Sequence, residues 1–489
     1  MPPLNSQTVR TLHPAIGVPG YERTELATGI VHFGVGGFHR SHEAMYVDRL
    51  LNQGLAAGWA ICGVGTLPSD RSMQQALDAQ NCLYTLVLKG TDGDVEPRVI
   101  GSISRYLLAP SAPEAVLAQL TDPSTRIVSL TITEGGYPVS DVTGEFEENP
   151  GVVSDLAAGA VPGTVFGLVA EALDRRRTSG TRGFTIVSCD NITGNGDIAQ
   201  RSFIGYARLK NPDLAQWMDD NVEFPNSMVD RITPVTTDND RRDLSDRFDI
   251  QDAWPVVAEP FEQWVLEDRF VDGRPPLEDA GVQFVDDVEP YELMKLRLLN
   301  ASHQVLSYLG YLAGYRHVHE VCQDQSFSQM LMRYMAREAT PTLSPVPGID
   351  LADYRRTLLS RFANPNIGDS LARNCTDGSD RITKFVLPVI RHQLAHGGDI
   401  SVAVTAVAGW ARYVEGVDEQ GRPIDVVDRR RAQLAPYAAR QHVDPEALLA
   451  VGDVFGDLGE QPKFVEAYRA ALGALHERGA RATVDALGS

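Results

Sequence analysis

The chain is poor in cysteine. Five thiols (Cys62, Cys82, Cys189, Cys322 and Cys375) are spread over 489 residues, odd in number and without a Cys-x-x-Cys pair. That excludes a disulfide-stapled scaffold and a cysteine-based zinc knot, and it reads as reduced thiols in a cytoplasmic protein. No apolar run approaches the roughly 18 residues of a membrane span. The most apolar stretch of note, Val402 to Trp410, is broken by Thr405 and Gly409 and stopped by Arg412. The opening MPPLNSQTVRTLHPAIG lacks the basic region and apolar core expected of a secretory signal. Positive charge is also scarce: 44 Lys plus Arg stand against 65 Asp plus Glu, a formal net charge of −21. A field of that sign repels phosphate polyanions and acidic bilayers, so neither nucleic acid nor a membrane is an expected partner. There is no internal repeat, no low-complexity tract, no His-Glu-x-x-His and no Gly-x-Ser-x-Gly. The last two absences disfavour a zinc enzyme and a serine hydrolase.

What is present is an ordinary globular composition, with 43% hydrophobic and 22% charged residues, so disorder is excluded. At roughly 100–200 residues per domain the length asks for two to four domains. After an irregular lead-in of 28 residues, β-type runs at Ile30–Gly34, Ala60–Val64, Leu83–Leu88, Ile127–Ile132 and Phe184–Ser188 alternate with helical patterns. Those helical stretches include His42–Leu51, Ala112–Leu120 and Thr164–Arg176. Unrelieved apolar strands with helices between them predict a parallel sheet covered on both faces. Beyond about residue 285 helical periodicity takes over, at Pro290–Leu312, Val321–Arg337, Leu351–Phe362, Arg381–His396, Val402–Tyr413 and Pro462–Leu475. The loop signal Asp272-Gly-Arg-Pro-Pro and the helix start at Glu289-Pro290 place a boundary between domains of residues 1–285 and 286–489.

Gly34-Val-Gly-Gly-Phe-His-Arg40 follows the apolar strand Ile30-Val-His-Phe33 and opens a helix. Gly34 permits a tight turn, Gly36 lets the backbone approach a pyrophosphate, and the helix start offers free N–H groups. The third glycine of a full G-x-G-x-x-G is replaced by His39, so an unliganded glycine turn stays open as the alternative. The expected nucleotide set is Gly34, Gly36, Gly37, Phe38, His39 and Arg40, with Asp70 after the second strand as the acid for the adenosine ribose. Asp70 reads equally as a cap for the segment that follows it, and Arg71 leaves NADP open beside the preferred NAD.

The helix from Pro290 carries Glu292, Lys295, Asn300 and His303 among regularly spaced leucines. At about 100° per residue these four fall within an arc of roughly 140°. A solvated stripe would be polar too, but Asn and His are weak choices for one. Oxidising an alcohol needs a base for the hydroxyl proton and donors for the developing alkoxide. Lys295 qualifies as the base if burial and nearby cations favour its neutral form. Asn300 offers amide donors, His303 a hydroxyl contact or a second base, and Glu292 a route for the proton to water. Asn191, in Asp190-Asn-Ile-Thr-Gly-Asn-Gly, sits at the carboxyl end of a strand, where α/β ligands bind, or else is a turn residue. The ligand-like spacings His39-x-x-His42 and His317-x-His319-Glu320 have no companion cluster, so no metal is expected.

The sequence resembles the polyol-specific long-chain dehydrogenases over most of its length. The resemblance rests on Gly34 to Arg40, Thr131-Ile-Thr-Glu-Gly-Gly-Tyr137, Ser188-Cys-Asp-Asn191, Phe224-Pro-Asn-Ser-Met-Val-Asp-Arg-Ile-Thr-Pro234 and Lys295-x4-Asn300-x2-His303. It implies an α/β fold: an expanded Rossmann-type nucleotide-binding domain followed by a mostly α-helical substrate domain. It also implies NAD-dependent, zinc-independent interconversion of D-mannitol and D-fructose. Lys295 would be the general base, Asn191 and Asn300 would hold the reacting oxygen, and His303 would bind substrate. Asp230 would lie near the polyol hydroxyls or else form a structural ion pair, and Arg373 and Lys384 would close the site or remain surface cations. Within the family the alternatives are arabinitol 4-dehydrogenase, sorbitol-type activity, and a fructuronate or tagaturonate reductase, whose acid substrate Arg373 would suit. Outside it stands a non-catalytic nucleotide-binding regulator. With no heptad or obvious dimer strand, a monomer is expected.

Overall fold

The structure is a computed structural model that describes residues 3–140 and 144–488. The chain divides into two compact units, Met1–Glu289 and Pro290–Ser489.

The first unit holds eleven strands among the described residues: β1 (Thr28–Phe33), β2 (Ala60–Gly65), β3 (Tyr84–Lys89), β4 (Val95–Ile100), β5 (Ile103–Leu108), β6 (Ile127–Leu130), β7 (Thr185–Ser188), β8 (Ser227–Asp230), β9 (Val256–Ala258), β10 (Gln263–Glu267) and β11 (Gln283–Val285). Five of them form a wholly parallel sheet in the order β5-β2-β1-β6-β7. The order reverses at β1, which puts a ligand crevice at the carboxyl ends of β1 and β6. Successive side chains point to opposite faces. Val31 and Phe33 of β1 with Val128 and Leu130 of β6 join one apolar layer, covered by the helices Pro113–Thr121, Val165–Ser179 and Asn195–Lys210. Ile30 of β1 and Ile127 of β6 join the other layer, against the helix Glu43–Asn52.

The parallel sheet was expected from the unrelieved apolar runs, and the Rossmann-type α/β class holds. The run at Leu83–Leu88 is a correction. It forms β3, outside the parallel sheet, antiparallel to β4 and parallel to β9. A short apolar strand carries no mark of which neighbour it will pair with. A third small sheet sets β10 antiparallel to β8 and parallel to β11.

The second unit is helical. The helices Ala301–Leu312 and Ser401–Val414 are buried along nearly their whole lengths and pack on each other, and Pro462–Gly488 packs along the second. Three of the long helices predicted here are interrupted. Asp324 ends one and starts another by accepting the Ser326 and Phe327 N–H groups, so Val321–Arg337 is not continuous. The other two interruptions are π-turns, Lys295–Asn300 inside the predicted Pro290–Leu312 and Ile382–Val386 inside Arg381–His396. A π-turn bonds i to i+5, and such bulges concentrate at functional sites.

Candidate active site

The chain leaves β1 through Gly34, whose φ is +88°. A Cβ there would stand 2.1 Å from the Thr131 carbonyl oxygen, so only glycine fits. Gly36 is the opposite case. A Cβ on it would meet nothing closer than the Gly34 oxygen at 3.7 Å, so open space lies over the backbone just where a pyrophosphate would rest. The helix α1 (Gly37–Ser41) follows, breaks at His42, and continues as α2 (Glu43–Asn52). Phe38 stacks on the His42 ring at 4.8 Å. The Arg40 guanidinium is buried. It donates to the Gly36 carbonyl at 3.2 Å and to the Trp254 carbonyl, and the Arg40 carbonyl accepts from the Tyr84 hydroxyl. His39 points inward as well, with its ring stacked on His32 at 3.4 Å and its Nδ1 3.2 Å from Glu43 Oε2. Desolvation and the neighbouring His32 push the His39 pKa down to about 4, leaving it neutral. Gly36 therefore forms the open surface of the turn, Gly37 packs against Thr233 and Val256, and the His39 and Arg40 side chains hold the turn from behind. Asp70 Oδ2 accepts the Thr66 and Leu67 N–H groups, both at 2.9 Å, and so closes the turn after β2.

Asn191 is exposed on the turn after β7, next to Asp190. The Asp190 carboxylate anchors this turn to the one after β6. It accepts from Thr133 N at 2.8 Å, Ile132 N at 3.1 Å and the Tyr137 hydroxyl at 2.8 Å. Thr133 needs that support, because its φ is +68°. Asp230 ends β8 and is 3% exposed. Arg231 beside it donates to the Glu259 and Ser41 carbonyls and pairs with Glu262 at 3.2 Å, which ties α1 to the chain around β9 and β10.

In the second unit Glu292 and Lys295 are 6% and 7% exposed. That overturns the solvated-stripe reading. The π-turn changes the geometry as well. Asn300 is five residues after Lys295, and with i→i+5 bonding, at on the order of 80° per residue, the angle between them shrinks from about 140° to about 40°. Lys295 and Asn300 thus share one bearing more closely than an α-helix would allow. The Asn300 Oδ1 is buried and makes no hydrogen bond. His303 lies against the Phe362 ring at 4.4 Å, with its Nε2 3.7 Å from Asp369 Oδ2. Burial, opposed by Asp369 and aided by Arg373, Arg381 and Arg361, lowers its pKa to about 4. Arg373 Nη1 stands 3.5 Å from the other Asp369 oxygen, and Asn374 donates to Asp369 at 2.9 Å. Lys384 is exposed on the second π-turn, which packs against the first and against Ala301–Leu312. The fold of this unit therefore gathers Lys295, Asn300, His303, Arg373 and the Lys384 turn into one region.

Sequence reasoning missed Asp369, which organises His303 and Arg373 from a loop without any local pattern. It also missed His32, Glu43 and Thr131 behind the glycine turn, and it overlooked Asp190 although that residue lies inside a quoted block. His39 gathers with His32 and Glu43 and not with His42, and His317 Nδ1 lies 3.6 Å from Glu320 Oε1. His42 Nε2 engages the Gln263 carbonyl at 3.0 Å, and Glu320 accepts the Arg316 and His317 N–H groups as a helix cap.

Strand order, switch point and glycine turn together define a Rossmann-type dinucleotide fold joined to a helical unit. Residues 28–279 match the mannitol dehydrogenase Rossmann domain and residues 287–476 the mannitol dehydrogenase C-terminal domain. The chain belongs to the mannitol dehydrogenase family of oxidoreductases, the family its sequence blocks resemble. It is 45% identical to the mannitol 2-dehydrogenase of Phaeosphaeria nodorum, covering 98% of this chain and 85% of that one. It is 42% identical to mannitol dehydrogenase DSF1 of Saccharomyces cerevisiae, covering 98% and 96%. Among solved structures, Pseudomonas fluorescens mannitol 2-dehydrogenase in ternary complex with NAD and D-mannitol is 46% identical over 99% of both chains, with a TM-score of 0.94. A substrate-free D-sorbitol dehydrogenase is 39% identical over 98% of this chain and 100% of that one, with a TM-score of 0.88. No helix among the described residues is long and apolar enough to cross a membrane.

Proposed function

We propose that this chain interconverts D-mannitol and D-fructose with NAD, using Lys295 as general base. The observation that carries the reading is the 46% identity, over 99% of both chains, to a mannitol 2-dehydrogenase solved with NAD and D-mannitol. The open space over Gly36 and the left-handed Gly34 suit a pyrophosphate, and Gly34, Gly36 and Gly37 would hold it. When bound, the nicotinamide supplies the acceptor for the hydride of the carbinol carbon.

The residues do the rest. Lys295 Nζ takes the hydroxyl proton, and Glu292, one helical turn earlier, passes it toward water. Asn300, at nearly the same bearing as Lys295, donates its amide hydrogens to the oxygen as negative charge develops there. His303, kept neutral by burial, bonds a second hydroxyl, and Arg373 stands on the far side of Asp369. We assign Asn191 and Asp230 hydroxyl contacts as well, and we assign Lys384 to the edge of the substrate region. Residues 1–285 act as the nucleotide domain and 286–489 as the substrate domain, in a cytoplasmic monomer. Five free cysteines, all buried, support the compartment.

Lys295→Ala tests the role. Turnover falls by several orders of magnitude while NADH still binds, and near-normal turnover would remove Lys295 from the mechanism. The likeness to D-sorbitol dehydrogenase supports a second reading with sorbitol as substrate. Comparing kcat/KM on mannitol, sorbitol, arabinitol and mannonate with NAD decides between the two.

A further inference from the structure

His32 occupies a position in β1 where the alternation calls for an apolar side chain. It faces α2 from the same side of the sheet as Ile30, and its burial is complete. Four polar groups surround it: His39 from α1, Glu43 from α2, and Ser129 and Thr131 from β6 and the residue that follows it. His32 Nδ1 lies 2.8 Å from Ser129 Oγ and 3.0 Å from Glu43 Oε2. Its Nε2 lies 2.9 Å from Thr131 Oγ1. Ser129 Oγ is also 2.8 Å from Glu43 Oε2, and Thr131 Oγ1 is 2.7 Å from the Gly34 carbonyl oxygen. Arg40 and Cys189 also act on this cluster, through His39 and Glu43 respectively.

Proton counting fixes the directions. A carbonyl cannot donate, so the single Thr131 hydroxyl proton goes to Gly34. His32 Nε2 must then donate to Thr131 Oγ1. The Ser129 hydroxyl donates to Glu43, and His32 Nδ1 lies against both. The His32 ring is thus held at both nitrogens, by Thr131 on one side and by Ser129 and Glu43 on the other. The His39 ring, stacked on His32 at 3.4 Å, is kept neutral by burial. Burial pushes Glu43 up, but its hydrogen bonds to His32 and His39 outweigh that and hold its carboxyl well below the usual range.

We infer that His32 and Thr131 are positioning residues for the nucleotide turn. His32 Nε2–H directs the Thr131 hydroxyl onto the Gly34 carbonyl, while Ser129 and Glu43 fix the ring through Nδ1. This rests on the reading of Gly34 to Gly37 as the coenzyme turn.

The test is NADH binding to the full-length protein, followed by fluorescence titration. Binding of NADH by the wild type checks the coenzyme reading by itself. Thr131→Val, which keeps the shape and removes the hydroxyl, raises the NADH Kd about ten-fold and raises KM for NAD by more than it lowers kcat. Thr131→Ser restores both to within about two-fold, as expected for one recovered hydrogen bond. An unchanged Kd in Thr131→Val, failure of Thr131→Ser to restore it, or a loss confined to kcat would overturn the inference.

Discussion

Replacing Asp190 by asparagine tests how the exposed turn of Asn191 is held. The wild-type carboxylate is 8% exposed and receives three donors: Thr133 N–H on one oxygen, and Ile132 N–H and the Tyr137 hydroxyl on the other. Asparagine keeps one acceptor and turns the other position into an NH2 group facing donors. Tyr137 can redirect its proton to Ser188 Oγ, 2.7 Å away, whereas the Ile132 N–H cannot rotate. One buried bond to a charged acceptor is lost and one donor is left unpaired, so the expected cost is about 2–4 kcal/mol. Asp190→Ala orphans both the Ile132 and Thr133 N–H groups while Tyr137 turns to Ser188, and costs about 3–5 kcal/mol. Tyr137→Phe alone costs about 1 kcal/mol. In Asp190→Asn/Tyr137→Phe the clash between hydroxyl and amide is absent, so the double variant loses less than the sum of the two single ones. Urea unfolding followed by tryptophan fluorescence and circular dichroism measures the series. On the proposed roles, kcat/KM in Asp190→Asn also falls by about ten-fold or more, because Asn191 is displaced. A cost below about 0.5 kcal/mol for Asp190→Asn, or strict additivity in the double variant, would refute the account.

Two further outcomes follow from the structure. His303 has its pKa lowered from 6.5 to about 4 chiefly by burial. Its neutral form is favoured on folding, so the associated stability is complete above about pH 6.5 and is lost as pH falls toward 4. The ceiling is about 3 kcal/mol, and the 12% exposure of its side chain reduces it. Urea midpoints of wild type and His303→Leu should therefore converge on acidification, and parallel pH profiles would refute the burial argument. Gly34→Ala forces a Cβ to 2.1 Å from the Thr131 carbonyl oxygen at a φ of +88°. It should abolish measurable NADH binding and lower the thermal midpoint, and retention of wild-type affinity would show that the turn does not need that geometry.

The residues that announced themselves did so through local chemistry. The run Ile30 to Phe33 followed by glycines at Gly34, Gly36 and Gly37 encodes a strand, a left-handed turn and a helix start within a few neighbouring residues, so it is legible without a partner. The apolar runs of β2, β6 and β7 fix strands buried on both faces in the same way. Lys295, Asn300 and His303 were visible because they recur at helical spacing among leucines.

Tertiary structure decided what depends on pairing and phase. β3 is as apolar as the strands of the central sheet, yet it pairs with β4 and β9, because strand partners are chosen by packing across long separations in sequence. The π-turn over Lys295–Asn300 has no composition signal. One residue more per turn rotates Asn300 onto the bearing of Lys295, and only the surrounding helices stabilise that insertion. His32, Glu43 and Thr131 are separated by up to 99 positions and look unremarkable singly. The sequence of this chain determined an α/β core with a glycine turn at its first strand. Where each buried proton resides depends on distances between side chains that only the folded chain brings together.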